Sequence, residues 1–79
     1  MHYCYILESL SKKGERYIGR TVDLRRRVAE HNAGKSPHTA RFKPWKLRTY
    51  FAFDNPDTCA RFESWLKSGS GYAFAKRHF

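Results

Sequence analysis

The sequence predicts an α+β fold: a small three-stranded, mostly antiparallel sheet with helices packed on it, in the order β-β-α-β-α, with room for a short C-terminal helix. Three observations carry this. The chain has 79 residues, enough for one core and one domain over residues 1–79, because so short a chain buries only roughly 60% of the surface its unfolded form exposes. Hydrophobic residues make up 41% and charged residues 29%, a globular composition rather than a disordered or fibrous one. Short aromatic and β-branched runs also alternate with segments of helical spacing bounded by capping residues.

Residues 2–7, rich in Tyr, Ile and Leu, read as the first strand. Ser11-Lys12-Lys13-Gly14 is a turn signal, and residues 15–19 resume with Tyr17-Ile18, so a hairpin is expected. Thr21 or Asp23 can cap a first helix that runs to about Asn32 and stops at Gly34. Residues 35–44, with Pro37 and Pro44, read as a basic loop. Residues 47–53, Leu-Arg-Thr-Tyr-Phe-Ala-Phe, suit a pleated surface. Asn55-Pro56-Asp57 opens a second helix with a capping Asn, a Pro at the first position and an acid in the first turn. That helix is expected to reach Ser68 and end at Gly69, and residues 72–79 can add a short helix. There is no internal repeat or low-complexity tract.

Charge is the strongest global signal. Sixteen Lys and Arg against seven Asp and Glu give a formal +9 and a pI near 10. Such an excess repels itself unless a polyanion is near, and nucleic acid is the commonest one. No apolar run approaches the roughly 18 residues of a membrane span, and no long basic amphipathic helix suggests a membrane surface. The N-terminus has no signal-peptide pattern, so a cytoplasmic protein without a membrane partner is expected. Cys4 and Cys59 lie in apolar surroundings and read as reduced, buried residues. Neither has a Cys or His partner at ligand spacing, and His2, His31, His38 and His78 are scattered, which argues against zinc.

Helical periodicity sorts the polar residues. Leu24 and Val28 define the buried stripe of the first helix, with Arg27 and His31 one turn apart along its flank. Arg26 and Glu30 point away, where an exposed pair is expected. On the second helix Cys59, Phe62 and Leu66 share a face that Trp65 widens. Glu63 borders that face beside Lys67. It is either a solvated partner of Lys67 or a half-buried carboxylate for a hard cation. Tyr3 and Tyr5 face one side of the first strand, and Tyr17 can join them across the hairpin. Phenols, Arg, His and a lone Glu on a basic scaffold suggest phosphodiester chemistry.

The ordered motifs resemble the GIY-YIG nuclease family over essentially the whole chain, in particular its short stand-alone bacterial members. They are Tyr3-Cys4-Tyr5 with Ile6-Leu7, Tyr17-Ile18-Gly19, Thr21 to Arg27 running into Glu30-His31-Asn32, and Ala60-Arg61-Phe62-Glu63 with Trp65-Leu66-Lys67. The resemblance implies an enzyme that cleaves DNA phosphodiesters with Mg²⁺ or Mn²⁺, with repair or recombination structures as the expected substrates. On it, Glu63 is the metal ligand and Arg27 the phosphate-binding arginine. Tyr5 is the general base or water-orienting tyrosine, and Tyr17 positions water or phosphate. A phenol of pKa near 10 is a poor base at neutral pH, so neighbouring positive charge or His31 has to assist it. Two departures stand out. Tyr3 replaces the first-motif glycine, and no Asn follows the glutamate, the last being Asn55.

Arg25, Lys35, Arg41, Lys43, Lys46 and Lys76 are the expected phosphate contacts outside the site. Target selection would come from the core itself, from DNA shape, or from a protein partner. A non-catalytic nucleic-acid-binding module, or a protein held to ribosomes or other RNA by charge, would account for the +9. Neither needs a lone carboxylate in a basic cleft.

Overall fold

Three strands, β1 (His2–Ser9), β2 (Arg16–Thr21) and β3 (Trp45–Phe53), form one sheet in the spatial order β2-β1-β3. Both pairings are antiparallel. Four helices follow the chain: α1 (Leu24–Asn32), α2 (Pro37–Ala40), α3 (Pro56–Lys67) and α4 (Gly69–His78). The structure is a computed structural model that describes every residue, Met1–Phe79. As the middle strand, β1 is covered on both faces, because successive side chains point to opposite sides of a strand. Cys4 and Ile6 join Cys59 and Leu66 of α3 and Ala75 of α4 in one cluster, against which Phe51 and Phe53 pack. Tyr5 and Leu7 join Trp45 in the other, against Leu24 and Val28 of α1.

A bulge lets β3 serve both clusters. Its apolar residues Trp45, Leu47, Phe51 and Phe53 all fall on odd positions, which a regular strand would turn to a single face. The register jumps from Ile6↔Thr49 to Leu7↔Leu47, leaving Arg48 as the extra residue. That insertion reverses the phase, so Trp45 and Leu47 reach one core while Phe51 and Phe53 reach the other.

The caps follow the expected chemistry. The Asp23 side chain accepts from the Arg26 amide, and Asn55 Oδ1 accepts from the amides of Asp57 (2.8 Å) and Thr58 (3.2 Å), satisfying otherwise orphaned donors. Gly34, at φ +78°, ends the first helical segment. Three expectations are corrected. The segment 35–44 is not all loop, since Pro37 opens the single turn of α2. β3 begins two residues early, where Asn32 pairs with the Trp45 backbone through both ends of its amide. The second helix does end where expected, at Lys67, but the last helix starts at Gly69 rather than at Tyr72. Ser68 adopts an extended conformation that ends α3, and its hydroxyl accepts from the Gly71 amide to start α4 at once.

Candidate active site

A polar cleft of about 380 Å³ opens along the free edge of β2. Tyr5, Tyr17, Arg27 and Glu63 all line it, together with Gly19 and Arg20. Because it lies at an edge, it is reached from both sides of the sheet: Tyr5 and Arg27 come from the α1 side and Glu63 from the α3 side.

Tyr5 sits on the middle strand and must pass β2 to reach this edge. The slot is Gly19, its direct partner in the β1–β2 ladder. A Cβ there would lie 2.6 Å from the Tyr5 hydroxyl and 2.8 Å from the Tyr17 ring, too close for any side chain. The Tyr5 hydroxyl is 2.9 Å from His31 Nε2, and His31 Nδ1 is 2.7 Å from Thr39 Oγ1. The Thr39 hydroxyl can direct its one proton to the Ser36 carbonyl, 3.4 Å away. We therefore assign the proton of His31 to Nδ1, which leaves Nε2 as the acceptor for Tyr5.

Burial pushes the Tyr5 phenol up to about 12, with the neighbouring Arg27 charge acting in the opposite direction. Burial also lowers the His31 pKa below its ordinary value, helped by Arg27 and opposed by Glu30. Tyr17 packs its ring 5.0 Å from the His31 ring centre and completes the aromatic wall. Arg27 is held by Glu30 Oε1 at 3.0 Å, while Arg26 binds the other oxygen of the same carboxylate at 3.3 Å. The Arg26–Glu30 pair is the exposed pair expected from spacing.

Glu63 has a 16% exposed side chain and is clamped by two cations: Arg20 Nε at 3.0 Å from Oε1 and Lys67 Nζ at 3.3 Å from Oε2. The Lys67 contact was legible from the helix spacing. Arg20 was not singled out, although strand alternation puts it on the Ile18 side of β2, toward α3. It is the one clear omission among the charged lining residues.

His31 is the one candidate that does not line the cleft. It is fully buried behind Tyr5, touching the site through a hydrogen bond rather than an open face. The expected phosphate contacts are all exposed but scattered. Arg25 is on α1, Lys35, Arg41 and Lys43 flank α2, Lys46 is on β3 and Lys76 is on α4. Four of them lie between residues 35 and 46, around α2, and none of the six lines the cleft.

The GIY-YIG catalytic domain profile matches residues 1–73. This chain belongs to the GIY-YIG family. A UPF0213 protein of Halobacterium salinarum is 40% identical over 68 residues, covering 85% of this chain and 86% of that protein. A UPF0213 protein of Streptococcus pyogenes serotype M3 is 38% identical over 66 residues, covering 82% and 70% respectively. The solution structure of a UPF0213 protein from Bacillus halodurans superposes with a TM-score of 0.58 at 33% identity, over 96% of this chain and 82% of that one. Within the GIY-YIG frame the Tyr-Ile-Gly motif acquires a physical reading: its glycine is the slot through which the first-motif tyrosine reaches the cleft. No helix of this GIY-YIG domain is long and apolar enough to cross a membrane.

Proposed function

We propose that this GIY-YIG domain is a divalent-metal-dependent endonuclease hydrolysing DNA phosphodiester bonds. The observation that carries the reading is the meeting of Tyr5, Tyr17, Arg27 and a single carboxylate, Glu63, in one cleft of a basic chain. No cluster of three or more His, Cys, Asp or Glu exists that could cage an ion. Mg²⁺ does not need a cage: it keeps several waters and binds through one or two carboxylates plus substrate phosphate. Glu63 with phosphate oxygens suits Mg²⁺ or Mn²⁺ in that way and does not suit zinc. Such an ion, held by Glu63, would polarise the phosphate and neutralise charge on the leaving oxygen. Arg20 and Lys67, released from Glu63, would then be free to pair with the phosphate itself.

The chain's own groups account for the proton. With its phenol near 12, Tyr5 holds no standing phenolate at neutral pH. It can still act as a relay, accepting the proton of the attacking water as its own passes to His31 Nε2 over the 2.9 Å hydrogen bond. His31 is available because burial keeps it neutral, and Thr39 Oγ1 receives the Nδ1 proton donation that fixes the ring. Arg27, oriented by Glu30, offers its planar fork to the phosphate. Tyr17 orients water or phosphate by hydrogen bonding.

The doubly paired Glu63 supports a second reading, a binding module in which that carboxylate only orders two cations. Cleavage of duplex, flap, single-stranded and branched DNA with and without Mg²⁺ or Mn²⁺ separates the two. Under the nuclease reading the wild type cuts at least one substrate, and Glu63→Gln lowers the rate by orders of magnitude while DNA binding persists. A wild type that binds but never cuts, or a well-folded Glu63→Gln that cuts normally, favours the binding module.

A further inference from the structure

Beside the cleft lies a second cavity of about 250 Å³ to which the catalytic reading gives no role. Its floor is apolar, made by Ile6 and Ile18 of the sheet and Ala75 of α4; Tyr72 stands in its wall, and Tyr17 borders it with its ring turned to the other face, against His31. Its polar lining is cationic, from Arg16, Lys67 and Lys76, and contains no carboxylate. Arg16 is 3.8 Å from Glu8 and Lys67 3.3 Å from Glu63, so Lys76 is the lining cation without an acidic partner, and Tyr72 is 47% exposed. The cavity borders the cleft at two residues. Tyr17 lines both, and Lys67 spans from the cavity to Glu63, 3.3 Å from its carboxylate.

An apolar floor beside one aromatic wall, with the unpaired Lys76 at its rim and a phosphate site next to it, is complementary to a flat apolar ring carried on a polyanion. Stacked and paired bases hide their faces, whereas an unpaired base can lay its face on an aromatic side chain. The volume falls below the roughly 300–1,000 Å³ of sites for drug-sized ligands, so one ring system is the natural occupant. A second copy of this chain would bring another +9 against the cationic rim. We propose that the cavity walled by Tyr72 binds the unpaired base of the nucleotide flanking the scissile phosphate, which makes single-stranded DNA, or the single-stranded part of a flap, the substrate of this domain. The position of the scissile phosphate rests on the nuclease reading, and the base subsite deepens it.

Electrostatics alone would give the opposite preference, since a duplex carries charge more densely than a single strand. The test is therefore fluorescence anisotropy with labelled DNA in EDTA, where no metal-dependent cleavage occurs, at one fixed salt concentration. A short mixed-sequence strand should bind at least several-fold more tightly than its duplex. An abasic strand of equal length and Tyr72→Ala with the normal strand should each lose roughly tenfold, and Tyr72→Phe should retain wild-type affinity. Tyr72 is exposed, so circular dichroism of Tyr72→Ala should match the wild type. Duplex binding equal to or tighter than single-strand binding, or an abasic strand that binds as well as the normal one, overturns the subsite. Cleavage measured separately keeps the two readings apart. A protein that prefers single strands but cuts nothing retains the subsite and loses the nuclease, and one that cuts duplex without single-strand preference does the reverse.

Discussion

At the residue scale, the site depends on a buried line of hydrogen bonds running from Tyr5 through His31 to Thr39. Thr39 is 1% exposed. Thr39→Val should leave Nδ1 of His31 without a partner, costing about 1–3 kcal/mol in urea denaturation, and Thr39→Ser should recover most of it. The pH dependence has a definite sign. Folding lowers the His31 pKa from 6.5, so the stability gained by burying the neutral ring is full above about 6.5 and is lost as pH falls through the folded value. Folding raises the Tyr5 pKa from 10 to about 12, so that contribution is full below 10 and is lost as pH rises toward 12. An NMR titration in which His31 is already protonated at pH 7 would overturn both the assigned proton and its role as acceptor. Gly19→Ala should displace the Tyr5 hydroxyl, destabilise the fold by roughly 1–3 kcal/mol and weaken cleavage, whereas Leu10→Ala, at a side chain 62% exposed and away from the site, should do neither. Tyr5, Tyr17, Arg27 and Glu63 could be read from strand alternation, helix flanks and motif order. The Arg20 clamp and the burial of His31 could not, because both depend on how α3 and α2 close against the sheet.

At the element scale, most boundaries follow from local chemistry: capping Asp23 and Asn55, the helix-opening Pro56, and runs of β-branched and aromatic residues. The bulge at Arg48 was illegible because it is a property of pairing. Nothing in 47–53 requires an extra residue until β1 demands apolar partners on both faces. This gives a sharp test. Deleting Arg48 should turn either Trp45 and Leu47 or Phe51 and Phe53 to the wrong core and abolish cooperative folding. Arg48→Ala keeps the residue count and should cost little beyond the bond from its Nε to the Phe79 carbonyl, as thermal denaturation of the two variants would reveal. The short α2 and the early start of α4 were missed for a related reason. A four-residue helix has almost no periodicity, and Ser68 ends one helix while capping the next.

At the scale of the whole molecule, the +9 charge read from composition belongs to a surface on which exposed cations are widely spread. DNA binding should fall steeply with salt, and each lost contact among Arg25, Lys35, Arg41, Lys43, Lys46 and Lys76 should reduce the salt slope by roughly one, measured by titration at several ionic strengths. Affinity that hardly changes between low and moderate salt would remove nucleic acid as the partner. The same molecule also carries its own clock. Its two cysteines, Cys4 and Cys59, are 0% and 2% exposed on a single face of the sheet, and burial holds both thiols above their ordinary pKa. Thiolate, not thiol, attacks an alkylating reagent, so the native protein should be inert to iodoacetamide until α3 lifts from β1. The labelling rate then counts openings of that interface without any engineered probe. A nucleic acid that braces Glu63 and its helix should slow the clock by the factor by which it binds the closed form in preference to the open one.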